Sequence, residues 1–230
     1  MPESHRRTRS KGYGAISATR ESRPAGERTK VVSRTGPHRS ESIRLAVLNA
    51  ADDLLVERGF AALTIEGIAQ RAGVAKQTIY RWWKSKVDIL LDTLTDDARD
   101  ALQWHPAEGD SAEEALSAHL RRVSDFFEEP AGRVLQALLG HAQLDEDTAK
   151  SLRAGFLKDQ RALDTAGLRE VLAREDVTVD DSGLDLLVDM MLGPLHYRAL
   201  VFGSPIDKGL VDTTARVTLA LARELSAARS

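Results

Sequence analysis

Residues 64–86 read Thr-Ile-Glu-Gly-Ile-Ala-Gln-Arg-Ala-Gly-Val-Ala-Lys-Gln-Thr-Ile-Tyr-Arg-Trp-Trp-Lys-Ser-Lys, and the rest of the chain is organised around them. Thr64 stands where an N-cap hydroxyl accepts from the first free amides of a helix. Ile65, Ile68 and Ala69 follow at helical spacing. Gly73 falls just past that run, where a left-handed residue closes a helix and glycine adopts it without strain. Val74 is placed to plug the angle before a second helix. That helix is expected to bury Ala75, Ile79 and Trp83 and to turn Gln77, Tyr80, Arg81 and Lys84 outward. Two short helices about a glycine turn, the second with a basic and aromatic outer face, have the form of a DNA-reading helix-turn-helix. The alternative is an ordinary helical hairpin with a basic face, but the cap, the Ala-x3-Gly-x5-Ile spacing and the polar face all favour the first reading.

Charge is distributed to match. Residues 1–39 hold ten Lys and Arg against three Asp and Glu, a net +7; residues 40–86 hold seven against five, a net +2. Residues 87–230 hold fifteen against twenty-seven, a net −12, so the overall −3 conceals a basic leading third on an acidic remainder. Hydrophobic content of 42% and charged content of 29% are ordinary for a globular chain. No segment approaches the ~18 unbroken apolar residues of a membrane span, and the basic N-terminus lacks the apolar core of a signal peptide. Cysteine is absent, which removes disulfides and thiolate metal sites and fits a cytoplasmic protein.

Residues 1–39 are rich in Arg, Ser, Gly, Thr and Pro without apolar periodicity and are predicted to be a disordered basic arm. Such an arm can follow phosphates or enter a minor groove; it can equally be a solvated tail, or the product of a start codon placed too far upstream. Order is predicted from Ser40, a plausible cap, with Ile43, Val47, Ala50, Leu54 and Leu55 forming a stripe that ends at Gly59. Phe60 and Leu63 should pack beneath the helix-turn-helix, completing a three-helix head over 40–86. Lys86 then opens a helix carrying Val87, Leu90, Leu91, Leu94, Ala98 and Leu102 on one face and running to about Gln103. Further helices are predicted near 112–128, 131–143, 146–174, 182–202 and 207–228. The expected fold is therefore all-α, a helix-turn-helix head followed by a larger helical bundle over 87–230 for effector binding and dimerisation. The closing helices carry two stripes, Leu184, Leu187, Val188, Met191 and Leu195, and Leu210, Thr214, Val217, Leu221 and Leu225. Paired with the same helices of a second copy they would form a four-helix dimer interface; the alternative is that both are used inside one protomer. A single head touches few base pairs, which favours a dimer.

The motif set resembles the TetR family of bacterial transcriptional regulators. It comprises Gly59-Phe60, Leu63-Thr64-Ile65, Ile68-Ala69, Ala72-Gly73-Val74, Thr78-Ile79-Tyr80, Trp82-Trp83 and Lys84-Ser85-Lys86. The remainder resembles one of the family's divergent ligand-binding domains, with Gly193-Pro194-Leu195-His196-Tyr197-Arg198 and Phe202-Gly203-Ser204-Pro205 as its marks. The resemblance implies phosphate contacts from Thr64, Tyr80, Trp82 and Lys86 and groove contacts from Lys76, Gln77 and Thr78, to which side-chain chemistry adds Arg81 and Lys84. Gln77 can pair with adenine and Arg81 or Lys76 with guanine. Two positions depart from the family pattern: Ala75 stands where serine is common and Gln77 where glycine is common. Trp82 is bulkier than the usual residue and serves either as an indole phosphate donor or as packing.

The resemblance also implies a small-molecule pocket in the second domain, whose occupancy changes the separation of the two heads. Candidate lining residues are Trp104, Phe126, Phe127, His141, Phe156, Met190, Met191, His196 and Tyr197. Phe202 and His119 are further polar or aromatic candidates, and each of these side chains can instead be core. Pro194 should kink its helix and free a carbonyl near His196. No metal-ligand spacing, phosphate loop or nucleophile motif is present, so no cofactor, metal or enzymatic activity is expected. The expectation is a homodimeric, ligand-responsive repressor that binds palindromic operator DNA and is released by a small-molecule effector. The alternatives are an activator, or a helical protein-interaction module without effector.

Overall fold

Helix after helix starts where the sequence supplies a side-chain cap. A computed structural model describes residues 37–228, and no strand occurs among the described residues. The first helix, α1 (Pro37–Ala62), begins three residues ahead of Ser40, because proline fits a first helical turn where its missing N–H costs nothing. Of the arm predicted over 1–39, residues 37–39 are thus helical, and 1–36 lie outside the described residues. The axis of α1 breaks at Gly59 (φ 74°), where its end was predicted.

Thr64 caps α2 (Ile65–Ala72), its Oγ1 accepting from Gly67 N at 3.1 Å. Gly73 closes it in the left-handed region (φ 66°), its N–H on the carbonyls of Ala69 and Gln70. After α3 (Lys76–Tyr80), Ser85 caps α4 (Lys86–Ala101) in a reciprocal box with Asp88. Ser111 caps α5 (Ala112–Glu128) in the same manner with Glu114. Pro130, which lies between the two helices predicted near 112–128 and 131–143, is itself the first residue of α6 (Pro130–Ala142). Asp145 caps α7 (Glu146–Leu152), Asp180 caps α9 (Asp181–His196) and Asp207 caps α10 (Lys208–Ala227).

Two helices predicted as continuous are interrupted. Between α7 and α8 (Lys158–Ala173) a wide π turn spans Arg153–Leu157, with Gly155 off the helical region. A second π turn, Tyr197–Val201, follows Pro194, whose missing N–H leaves the carbonyl of Met190 without its usual partner. Periodicity does not register either insertion, since the residues on both sides remain helical.

α1 packs on α2, α4 and α6; α5 packs on α6, α8, α9 and α10; and α9 lies between α8 and α10. One continuous apolar core runs from Val47 in α1 to Ala222 in α10. This packing corrects the reading of the C-terminal stripes. Leu184, Val188, Met191 and Leu195 are buried inside the protomer, as is Thr214. Leu225 and Leu221 are half-buried against the same core, and Leu210 is half-buried. The apolar surface that α9 leaves open lies on its other side, at Leu186 (46% exposed) and Met190 (43%), continued by Tyr197 (57%) of the following π turn and joined on α10 by Val217 (50%). α9 is apolar on two faces, and burial alone separates them. No helix among the described residues is long and apolar enough to cross a membrane.

Candidate nucleic-acid interface and ligand cavity

The five residues of α3 are too few to hold a helix by themselves. Tertiary contacts hold it instead. Ile79 and Trp83 are buried against Ile65, Ile68 and Ala69 and the core beneath, with Val74 packed at the corner. The Trp83 indole Nε1 donates to Asp92 Oδ2 of α4 at 3.1 Å, and the same carboxylate accepts from Arg44 of α1, Nε at 3.2 Å and Nη2 at 2.6 Å. Arg44 also reaches Asp96 and Glu41; these hydrogen bonds, that with Asp92 foremost, raise its pKa still further above the usual value. One carboxylate thus joins the end of α3 to α4 and α1.

With α3 so placed, Lys76, Gln77, Tyr80, Arg81 and Lys84 are exposed and Thr78 is half-buried. Ala75, expected in the core, is exposed, because it is the extended residue that caps α3 through its backbone. Lys76 pairs with Glu66 of α2, and its ammonium lies 5.7 Å from the Tyr80 ring. Arg81 lies over Trp82 at 5.6 Å, and Trp82 packs edge-on against Trp83 with centroids 5.3 Å apart. Thr64 is exposed at the start of α2.

Lys86 departs from its expected part. Its Nζ donates to the carbonyls of Phe60 (2.7 Å) and Leu63 (3.0 Å) and sits 4.2 Å above the Phe60 ring, and burial pushes its pKa down. Two of its three N–H donors therefore close the α1–α2 corner, because α4 begins beside the carbonyls that the Gly59 break leaves open; one remains for a phosphate.

The body encloses a cavity of about 260 Å³. Phe126 and Phe127 of α5, Phe156 and Leu157 of the first π turn, and Val188, Leu192 and His196 of α9 line it, with Leu102, Val123 and Leu135. Its polar wall belongs to α8: Gln160, Arg161 and Asp164. Asp164 is buried, and its Oδ1 accepts from Trp104 Nε1 (3.1 Å), His119 Nε2 (3.1 Å) and Gln160 Nε2 (3.2 Å). Trp104 stacks on His119 with centroids 4.0 Å apart and lies directly over Gly167, where any Cβ would fall 2.2 Å from the indole. Gln160 also donates to the Leu102 carbonyl at 3.4 Å. His196 gives Nδ1–H to Leu192 O at 2.9 Å; burial depresses its pKa, against smaller opposing effects of that hydrogen bond and of the Asp164 charge.

Of the candidate lining residues, Phe126, Phe127, Phe156 and His196 meet in this cavity, and Trp104 joins it through Asp164. Four do not. His141 lies tilted against Phe60 with ring centroids 4.5 Å apart, joining α6 to the head; Met191 is core; Met190 and Tyr197 face outward, as does Phe202. The missed polar residues are Gln160, Arg161 and Asp164. A signal for two was present: Gln160 and Asp164 fall at i and i+4 in register with buried Leu168, polar residues on an otherwise apolar stripe. Among the described residues no cluster of three His, Asp or Glu is placed to hold a metal ion.

Comparison with known proteins gives concordant matches for both parts. Residues 47–93 match the model described as bacterial regulatory proteins, tetR family, and residues 106–218 match that of a tetracyclin repressor-like C-terminal domain. The HTH-type transcriptional regulator YdeS of Bacillus subtilis is 34% identical over 179 residues, 78% of this chain and 89% of that protein. Among solved structures, the TetR family transcription regulator SCO0332 superposes with a TM-score of 0.63 at 33% identity, covering 78% of this chain and 97% of the other. A TetR-family regulator from Mesorhizobium loti shares the fold at 17% identity, with a TM-score of 0.62 over 80% of this chain and 96% of its own.

Proposed function

Because this chain belongs to the TetR family of DNA-binding transcriptional regulators, we propose that it is a homodimeric repressor that leaves its operator when a small molecule enters the cavity. Residues 40–86 serve as the reading head and 87–230 as the effector and dimerisation body. The relatives are regulators, not enzymes. The observation that carries the proposal is a recognition helix held from below by Ile79, Trp83 and the Asp92 link, with Lys76, Gln77, Tyr80, Arg81 and Lys84 free to face a groove. In this reading Gln77, Thr78, Arg81 and Lys76 address base edges, while Thr64, Tyr80 and Lys84 take phosphates. Lys76 must exchange Glu66 for DNA, which makes its contact a weaker contributor than Arg81.

Two copies would meet through the open side of α9 and the exposed part of α10, at Leu186, Met190, Tyr197 and Val217, with Leu210 and Leu221 at the margin. The cavity connects to the head through α4. Leu102, next to the C-terminal end of α4, lines the cavity and accepts from Gln160, while Asp92 of α4 accepts from Trp83 at the end of α3. A ligand that separates Gln160 from Leu102 would tilt α4 and thereby the head, provided it prefers the tilted state.

Fluorescence anisotropy with DNA from upstream of the chain's own gene tests the reading. Expected is binding of one dimer to a palindromic segment, lost on Arg81→Ala and steeply weakened by salt. Equal affinity for unrelated DNA at every salt concentration refutes it.

A further inference from the structure

The cavity has one feature that apolar packing does not account for. Asp164 is buried and lines an aromatic cavity, and its three recorded hydrogen bonds, from Trp104, His119 and Gln160, all end on Oδ1. A carboxylate is an acceptor with two oxygens. Its second oxygen carries none of these bonds and is left for whatever fills the space.

The groups that could offset its charge are engaged elsewhere. His119 gives its Nε2–H to Asp164, while its Nδ1 is buried without a partner. His196, on the opposite wall, gives its Nδ1–H to Leu192 O, and burial disfavours its charged form. Arg161 lines the cavity but directs Nε and Nη1 to Asp185 and Asp189 and Nη2 to the Asp185 carbonyl. No cation in the lining remains to receive an anion, and a buried carboxylate whose second oxygen is unpaired favours a positive partner. Three phenyl rings, Phe126, Phe127 and Phe156, complete the wall with π faces suited to an ammonium and its carbon chain.

We propose that the cavity takes a small amphipathic amine, its ammonium on the second oxygen of Asp164 and its apolar body among Phe126, Phe127 and Phe156. This rests on the cavity being the effector site. At about 260 Å³ the space lies just under the ~300 Å³ at which pockets for drug-sized ligands begin, so the occupant is small.

Phenylbutylamine, phenylbutanol and phenylbutyrate share one apolar body and differ in charge. Each is titrated into the full chain at neutral pH, with tryptophan fluorescence as the readout, since Trp104 touches Asp164. The amine is expected to bind at least tenfold tighter than the alcohol and the carboxylate weakest; in Asp164→Asn the amine and the alcohol become equal. The proposal is overturned if the alcohol or carboxylate matches the amine, if Asp164→Asn keeps the preference for the amine, or if none of the three binds at millimolar concentration. Should Asp164→Asn not fold, the ordering of the three probes on the unaltered chain decides. DNA affinity is measured in parallel. An amine that binds without releasing DNA removes the effector reading and leaves the site chemistry standing; release by the carboxylate does the reverse.

Discussion

Asp92→Ala isolates the link that places the recognition helix. The substitution removes the acceptor of the Trp83 indole N–H and two hydrogen bonds of Arg44. Trp83 is buried, so its N–H is left without a partner, which costs about 1–3 kcal/mol. Arg44 keeps Asp96 and Glu41 and is partly open to solvent, so its loss is that of a surface ion pair, about 0.5–1 kcal/mol. Together these give about 3 kcal/mol, read by urea unfolding as a lower midpoint at unchanged slope. Trp83→Phe keeps most of the packing and removes only the donor, at about 1 kcal/mol. The discriminating quantity is the double mutant. In the Trp83→Phe background no N–H remains to be orphaned, so Asp92→Ala there should cost only the Arg44 share, about 1 kcal/mol or less. DNA affinity should fall with Asp92→Ala even where the protein is fully folded, because α3 has lost its hold on α4. Equal costs of Asp92→Ala in both backgrounds would refute the argument that the indole–carboxylate bond carries the effect.

Three further outcomes are expected. Gly167→Ala should displace Trp104, with a destabilisation of about 1–3 kcal/mol and an altered tryptophan emission spectrum, because its methyl would fall 2.2 Å from the indole; an unchanged spectrum contradicts the packing. Stability should decline as pH falls below about 6.5 toward the depressed folded pKa of His196: the unfolded chain binds a proton there that the folded one resists. His196→Gln should flatten that part of the pH–stability curve measured by urea unfolding. Leu186→Glu combined with Val217→Asp should convert a dimer to a monomer in sedimentation without loss of helicity, since both side chains are exposed in one protomer; a surviving dimer would exclude that face.

Which parts of this were legible beforehand follows from the range of the interactions involved. Thr64, Gly73 and the stripe of Ile65, Ile68 and Ala69 act within a few residues of one another, and each behaves as its spacing implied. Ala75 differs, because whether the residue before α3 is core or cap depends on how α3 lies on α2. Lys86 differs for a similar reason: the carbonyls it meets are 26 and 23 residues away. His141 is read as ligand lining only until the fold lays it on Phe60, 81 positions earlier in the chain. Asp164 stood in register with buried Leu168 as a polar residue on an apolar stripe, yet nothing local identifies Trp104 and His119 as its partners.

The sequence by itself determined the helical class, the helix-turn-helix and its outward basic face, since caps, glycine turns and a 3.6-residue period are local properties of the chain. Tertiary structure alone decided which of two apolar faces of α9 is inside. Leu184, Val188 and Leu195 are as apolar as Leu186 and Met190, and only packing against α8 and α10 distinguishes them. It also decided that a carboxylate, two indole or imidazole rings and a glutamine from three separate segments would meet at one wall of a cavity. Burial is a property of the assembled surfaces, and no single segment carries it.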